Sequence, residues 1–572
     1  MNNAQIASAF AEAADLLEVQ DANPFRVRAY RNGSRAVKNH PEAFADVLSR
    51  DPDIRLEQFT GIGKDLAAKI REAVDTGRIA FVDELRAEVP PVTLELFRIP
   101  GLGPKKISKL LTALDVTSVD ELKTAAEDGR VAGLSGFGKK TAETILDGIE
   151  RLASLGQRTY LETALDIATT IRDDLAAIAS VERCEIAGSA RRRRETVGDL
   201  DLLICGDDPA AAMDALARHR LVEQTLARGD TKHRVRLVGG LELDLRVVPA
   251  ASFGAAMQYF TGSQAHNIAV RRLATERGYK LNEYGLLNGD TPVAGETESG
   301  VYDALGLPHF PPELREDRRE FEWAASPGGL PTLIELSDIA GDLHMHTTAT
   351  DGKNTIVEMV TAARERGLSY VAITDHSKRV TMAGGLDAAA LRRHWDDIRA
   401  AVADVRGIEV LCGIECDILE DATMDLPDEV LADADWVLGV LHYGLRQAAA
   451  KIERRLLAAI ANPHVDCIGH PTGRIVGKRA GAEADWLTVL DEAAAAGVMM
   501  EINANPARLD LDDTLARAAA DRGIPITIST DAHSIAGLDK MRWGVCQARR
   551  AGLTKSDVAN TRPLEDFRRL LR

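Results

Sequence analysis

Nowhere among the 572 residues is there a run of 18 apolar residues, so no transmembrane helix is expected. The first residues, MNNAQIASAFAEAADLL, have neither a basic start nor an apolar core, so no signal peptide is expected. Cysteine is scarce. Six residues (184, 205, 412, 416, 467 and 546) are scattered without zinc-ribbon spacing. That excludes a disulfide framework and points to a cytoplasmic protein with reduced thiols. Positive charge is also in deficit: 70 Lys+Arg stand against 88 Asp+Glu, a net charge of −18. Residues 1–300 hold 39 basic and 45 acidic residues, and 301–572 the remaining 31 and 43. Such a balance normally argues against a nucleic-acid binder. Local fields decide phosphate binding, however, and basic clusters are present: Arg191–Arg194 in a row, and Lys105, Lys106 and Lys109 behind a glycine turn. With 45% hydrophobic and 28% charged residues, the composition is that of an ordinary globular protein with room for several domains.

Residues 1–155 read as short helices, and one pattern recurs in them: FTGIGKDLAAKI (59–70), IPGLGPKKISKL (99–110) and LSGFGKKTAETIL (134–146). Each is Gly-apolar-Gly followed by an amphipathic helix. Glycine allows a tight turn and close backbone approach, and the free N–H groups that open the next helix favour a phosphate. The repeat resembles the helix-hairpin-helix motif, which grips DNA backbone without reading sequence. That resemblance assigns Gly61, Gly63, Gly101, Gly103, Lys105, Gly136 and Gly138 to DNA.

From 158 to 250 the pattern becomes β-rich. Asp199-Leu-Asp201 places two carboxylates on one face of a strand, and Asp244, in LELDLRVV, can add a third from a neighbouring strand. Three hard oxygen donors suit Mg²⁺, and two such ions suit phosphoryl transfer. The block from Gly188-Ser189 through the arginines to Asp201, with the later Tyr259-Phe-Thr-Gly262-Ser, resembles the palm of family X DNA polymerases.

The resemblance makes Asp199, Asp201 and Asp244 catalytic ligands of Mg²⁺ or Mn²⁺. It places Arg158, Gly188, Ser189, Arg192 and Gly198 around a triphosphate, Tyr259 and Gly262 beside the sugar, and Asn267 at the base edge. Lys232, Arg246 and Arg271 would face DNA. Two departures stand out. Gln264 occupies a position that is acidic in some relatives. Glu242 stands two residues before Asp244 and is expected to disfavour its ionisation. In the first hairpin region (F25-R-V-R-A-Y30-R), Lys69 falls on the Schiff-base nucleophile of lyase-active relatives. There Asp65 and Asn32 replace lysines.

After 338, β-rich runs alternate with Ala-rich helices, which points to a parallel α/β barrel. This segment supplies His344, His346, Asp351, His376, Glu415, His442, His470, Asp531 and His533, nearly all at or just after the C-terminal end of an expected strand. Such ends are where barrels of this kind keep their sites. Six imidazoles and three carboxylates suit Zn²⁺, Mn²⁺ or Fe²⁺ better than Mg²⁺. The set resembles the PHP (polymerase and histidinol phosphatase) domain, a distorted barrel with up to three metal ions that cleaves phosphoesters. Lys378, Arg379 and Arg508 are candidates for the substrate phosphate. His394 and His464 fall outside the pattern and are expected at the surface.

The expected fold is multidomain. A lyase-like helix-hairpin-helix domain (1–85) and a second helical DNA-binding domain (86–155) come first. An α+β nucleotidyltransferase palm (156–250) and a small α/β domain for the nascent base pair (251–318) follow. A linker (319–337) leads to a distorted (β/α)7 PHP barrel (338–572). The resemblance implies short-gap filling in DNA repair, with metal-dependent 3′–5′ exonuclease, 3′-phosphatase or abasic-end cleavage. Gapped or primer-template DNA and dNTPs are the expected partners, with no membrane, for a monomer associated with the nucleoid. The alternatives are a template-independent nucleotidyltransferase and a DNA end-binding scaffold with a structural PHP domain.

Overall fold

The computed structural model describes all residues except 2, 40–43, 60, 91, 98, 100, 101, 156, 157 and 207. Two compact units divide the chain, Met1–Gln157 and Arg158–Arg572.

The first unit is helical. Asn3–Val19 and Pro24–Asn39 pack along each other and bury Ile6, Phe10 and Tyr30 together with Ile70 of the hairpin helix Lys64–Thr76. Gly61 turns the first hairpin at φ +90, where a Cβ would lie 3.0 Å from the Ala36 Cβ. Gly63 and Gly103 cap the helices Lys64–Thr76 and Pro104–Leu114. Gly136 takes φ +84, and Gly138 precedes the helix Lys139–Leu155. Lys105 is exposed, and Lys109 is used within the fold, donating to the Ser135 carbonyl at 2.8 Å. Gly101 lies outside the described residues.

The second unit begins with a five-stranded sheet. Its spatial order is Val181–Ile186, Asp199–Gly206, Glu242–Val247, Lys232–Leu237, Val222–Arg228. Asp199–Gly206 runs parallel to Glu242–Val247 and the other pairs are antiparallel. Leu200, Leu202 and Ile204 alternate with the aspartates and bury against the helices Leu161–Ala176 and Pro209–Ala217, as a sheet with one solvated face requires. Two helices, Phe253–Thr261 and Gln264–Glu276, and a three-stranded antiparallel sheet follow.

The C-terminal part carries seven parallel strands in sequential order, from Gly341–Asp342 to Ile526–Ser529. A parallel bridge between Met345 and Ala532 joins the two ends, which nearly closes the barrel. Tyr370–Ile373, Trp436–Val440, Met499–Asn503 and Ile526–Ser529 are buried along their whole length, as expected when helices cover the outer face of a parallel sheet.

The segment 319–337 is not a bare linker. The helix Glu320–Ala325 seats Glu320, with no exposure, against His266. Trp323 packs on Gly552, where a Cβ would fall 2.5 Å from the ring. Proline and charge read as punctuation in the sequence; here Glu320 is a buried partner of His266, and Arg319 and Glu335 form surface pairs with Asp521 and Arg549.

Candidate active sites

The first site lies on the open face of the five-stranded sheet. Parallel register sets Asp199 opposite Glu242 and Asp201 opposite Asp244. The next strand places Arg234 opposite Asp244 and Arg236 opposite Glu242. Gly188, at φ +64, brings its backbone against Asp201; a Cβ there would lie 2.2 Å from Asp201 Oδ2. Asp201 is half-buried, and desolvation together with Asp199 and Asp244 pushes its pKa up to about 7. Asp244 Oδ1 is buried without a hydrogen-bond partner. Converging carboxylates, one of them reluctant to ionise and one with an unsatisfied oxygen, fit a site built for cations.

Glu242, expected to oppose Asp244, is answered by its own cations. It pairs with Arg234 and, at 3.7 Å, with Arg236. Lys232 sits 3.5 Å from Asp244. The Arg246 guanidinium covers the Phe260 ring at 4.8 Å.

Arg158 donates to the Thr196 hydroxyl and carbonyl at 2.8 and 2.7 Å, with Gly198 beside it. Arg192 bonds the Thr261 carbonyl and, at 3.2 Å, Glu316. Gly262 lies next to it: a Cβ there would sit 3.1 Å from the guanidinium. Ser189 is half-buried at the same turn. Two of the four consecutive arginines, Arg191 and Arg192, are thus engaged within the fold. Arg191 forms a bidentate pair with Glu298 at 2.9 and 2.8 Å, and Glu298 also holds the fully buried Arg315.

Asn267, expected at the base edge, has both ends of its amide engaged. It accepts from Gln258 at 2.8 Å and donates to the Tyr259 carbonyl at 2.7 Å. Arg271 is exposed and donates to the Asn267 carbonyl at 3.2 Å.

Within the first unit, Lys69 is 14% exposed and bonds Asp65 at 2.5 Å. It lies over the Phe81 ring at 4.8 Å. Tyr30 donates its hydroxyl to the other Asp65 oxygen at 2.9 Å. Asp65, which the resemblance sets where relatives carry a lysine, binds the Lys69 ammonium and the Tyr30 hydroxyl instead.

The second large site gathers all nine expected ligands at the barrel's C-terminal end. Groups close enough to share an ion are His344/Glu415/His470, His344/His346/Asp531, His376/Glu415/His442 and His346/Asp351/His376/His533. Glu415 is the hub, 2.9 Å from His470 and 3.4 Å from both His344 and His442. Asp351 bridges His376 and His533 at 3.4 and 3.3 Å.

Four of the histidines keep buried ring nitrogens with no hydrogen-bond partner: His344, His346, His376 and His470. Burial disfavours the imidazolium of His376, yet Glu415 and Asp351 outweigh it and carry its pKa up to about 10. In His346, by contrast, burial and the neighbouring His376 lower the pKa to about 4. Orphaned nitrogens and surplus negative charge fit bound divalent cations. His470 and Asp531 adopt φ +28 and +52, the left-handed conformation that side-chain-bearing residues take at constrained functional sites.

The outer partners were not foreseen from the sequence. Glu501 accepts from His344 Nδ1 at 2.8 Å and from the His470 backbone N–H at 2.6 Å. Asp417 bonds His442 Nδ1 at 3.0 Å. Asp417 carried a signal, since it lies two residues past Glu415 on one strand face; Glu501, in MMEIN, carried none. His394 corrects an expectation: it is 6% exposed and bonds the buried Asp375 at 2.8 Å, a carboxylate that also holds Thr347 and Thr350. A lone histidine outside a ligand pattern does not reveal such a partner. His464 is half-buried.

Of the proposed phosphate cations, Arg508 lies 3.5 Å from Asp531. Arg379 is held by Glu420 at 2.6 Å and covers the Tyr443 ring. Lys378 is exposed.

Comparison with known proteins agrees with this layout. A helix-hairpin-helix domain family matches residues 1–79, a SAM-like helix-hairpin-helix tandem 93–151, the DNA polymerase beta thumb 256–316 and the PHP domain 342–505. The DNA polymerase/3′-5′ exonuclease PolX of Bacillus subtilis (strain 168) is 38% identical over 563 residues, 97% of each chain. DNA polymerase lambda of Rattus norvegicus is 28% identical over 45% of this chain and 47% of its own. A probable phosphatase of Thermoanaerobacter sp. (strain X514) is 29% identical over 38% of this chain and 89% of its own. With 38% identity along nearly its whole length, the chain belongs to the family X DNA polymerases that carry a PHP domain.

Proposed function

We propose that this protein is a DNA-directed DNA polymerase and 3′–5′ exonuclease that fills short gaps during DNA repair and trims the 3′ ends it extends. The observation that carries the polymerase reading is the parallel register of Asp199–Asp201 with Glu242–Asp244, which brings three carboxylates onto one open face. Asp199, Asp201 and Asp244 would hold Mg²⁺ or Mn²⁺, whose contribution when bound is to acidify the primer 3′-OH and neutralise the triphosphate. Arg158, Arg192, Gly188 and Ser189 bind and align the triphosphate of the incoming nucleotide, with Gly198 leaving room for Arg158. Tyr259 and Gly262 line the sugar. Asn267 reaches the base once it releases Gln258 or the Tyr259 carbonyl. Lys232, Arg246 and Arg271 face DNA backbone, as do the glycine hairpins of the first unit.

The PHP cluster carries the hydrolytic reading. Its nine ligands would hold up to three Zn²⁺, Mn²⁺ or Fe²⁺ ions, and Arg508 and Lys378 receive the scissile phosphate. Abasic-end and 3′-phosphate removal fall to the same site, because each is a phosphoester cleavage at a 3′ end. Joining the trimming site to the polymerase in one chain raises its effective concentration at a blocked primer. The protein works as a cytoplasmic, nucleoid-associated monomer. Its thiols, all free, suit that compartment.

The test is a one-nucleotide-gapped duplex with a labelled primer in Mn²⁺, with and without dNTPs. Extension by one nucleotide with dNTPs and shortening without them are expected. Extension without shortening overturns the nuclease reading, and no extension overturns the polymerase reading.

A further inference from the structure

Two arginines of the PHP domain reach the palm beside its phosphate-side arginines, Arg474 at the Glu195 carboxylate next to Thr196 and Arg550 at the Arg192 carbonyl. Arg474, four residues beyond His470, is 14% exposed. Its guanidinium addresses both oxygens of the Glu195 carboxylate, at 2.7 and 3.4 Å. Glu195 immediately precedes Thr196, whose hydroxyl and carbonyl receive Arg158. The ladder under Arg158 consists of only two residue pairs, Thr159 with Val197 and Tyr160 with Thr196. From its other end the Tyr160 hydroxyl donates to the Val476 carbonyl at 3.1 Å.

Arg550 repeats the arrangement at Arg192. It donates to the Arg192 carbonyl at 2.9 Å and to Glu316 at 3.0 Å, while Glu316 also accepts from the Arg192 side chain. Asp513, at 2.6 Å, fixes Arg550 from within the PHP domain.

A ladder of two residue pairs is short, extended here by the Leu161 N–H donating to the Glu195 carbonyl at 3.0 Å. Contacts from outside help to fix its position, and one of them is a bidentate charged pair, which adds geometric specificity as well as strength.

We infer that Arg474 and Arg550 of the PHP domain are positioning residues of the nucleotidyl-transfer site, holding Arg158 and Arg192 where they receive the triphosphate of an incoming nucleotide. The inference rests on the reading of Arg158 and Arg192 as triphosphate contacts. On this account the phosphoesterase domain is part of the polymerase's nucleotide site even when its own metal cluster is idle.

The experiment is single-nucleotide gap filling by the full-length protein across a range of dNTP concentrations, with thermal melting as a check on folding. Arg474→Met and Glu195→Gln are each expected to raise the KM for dNTP by about tenfold while kcat falls less than about threefold. The reversed pair, Arg474→Glu with Glu195→Arg, is expected to recover KM to within about threefold of the starting protein. Glu195→Gln keeps the test open if Arg474→Met does not fold. An unchanged KM in the single variants, or a loss that the reversed pair does not recover, overturns the inference. Arg158→Ala separates the two readings. If it raises KM and Glu195→Gln does not, only the positioning role falls. If Arg158→Ala leaves KM unchanged, the triphosphate reading falls and the positioning role falls with it.

Discussion

Gly188 and Asp201 touch in a way that only glycine permits. The turn holds Gly188 at φ +64, and a methyl group there would stand 2.2 Å from the Asp201 carboxylate. The glycine after the sheet's first strand thus decides where the Asp201 carboxylate points. Gly188→Ala is expected to cut nucleotide incorporation by at least about 100-fold, because a displacement of about 1 Å at a reacting centre costs that much. Asp201→Ala should abolish incorporation. Both variants should still shorten single-stranded DNA in Mn²⁺, which separates loss of the site from loss of the fold. Gap filling at a normal rate by Gly188→Ala would count against the contact.

His344 and Glu501 set the second prediction. Glu501 orients His344 through Nδ1 and receives the His470 backbone N–H. Partners of this kind tune ligand basicity and ring orientation. Glu501→Gln is expected to lower metal affinity at the PHP site by about 10- to 100-fold, so that trimming activity returns as Mn²⁺ is raised. His344→Ala should lose trimming without such recovery. Incorporation should be unaffected in both. Titrating Mn²⁺ against exonuclease rate measures the shift, and an unchanged curve for Glu501→Gln refutes the role.

The Lys69 nitrogen is engaged by Asp65 at 2.5 Å. A Schiff base requires that nitrogen free to attack a carbonyl carbon. Borohydride trapping on an incised abasic duplex is therefore expected to be weak in the native protein and to rise about two- to fivefold in Asp65→Asn, the range for a partly exposed ion pair. Lys69→Ala should remove the adduct. An adduct that survives Lys69→Ala, or one that Asp65→Asn does not increase, rules this account out.

His266 makes a pH prediction. It has no exposure and lies between Glu320 and the Tyr302 hydroxyl at 3.0 and 2.9 Å. Burial lowers its pKa from the ordinary 6.5, outweighing the Glu320 hydrogen bond. The unfolded chain takes up a proton below about 6.5 while the folded one stays neutral. This histidine's contribution is therefore complete above that pH and declines as pH falls below it. Urea denaturation from pH 8 to 5 should show His266→Gln destabilised by roughly 1–3 kcal/mol at pH 8, with the gap narrowing toward pH 5. A gap constant across that range would contradict a buried neutral imidazole.

The legible parts of this protein were those with short sequence periods. Asp199 and Asp201 share a face because a strand alternates, and three glycine hairpins show themselves by repetition. The nine expected PHP ligands are recognisable because nearly all sit at or just after the end of an apolar β run. Long-range charge pairing was the illegible part. Glu242 read as a liability to Asp244 until the neighbouring strand brought Arg234 and Arg236 against it. His394 read as a surface residue until the fold placed Asp375 beside it.

What the sequence by itself determined was the chemistry of each site and the order of the domains. Ligand type, spacing and strand ends are local properties, set by the backbone's periods of 2.0 and 3.6 residues. Only the tertiary structure decided which charge answers which. Glu195 with Arg474 and Arg192 with Arg550 are separated by 279 and 358 residues. No periodicity reaches across such distances, and a carboxylate or guanidinium has the same local appearance whether it meets solvent, substrate or a buried partner.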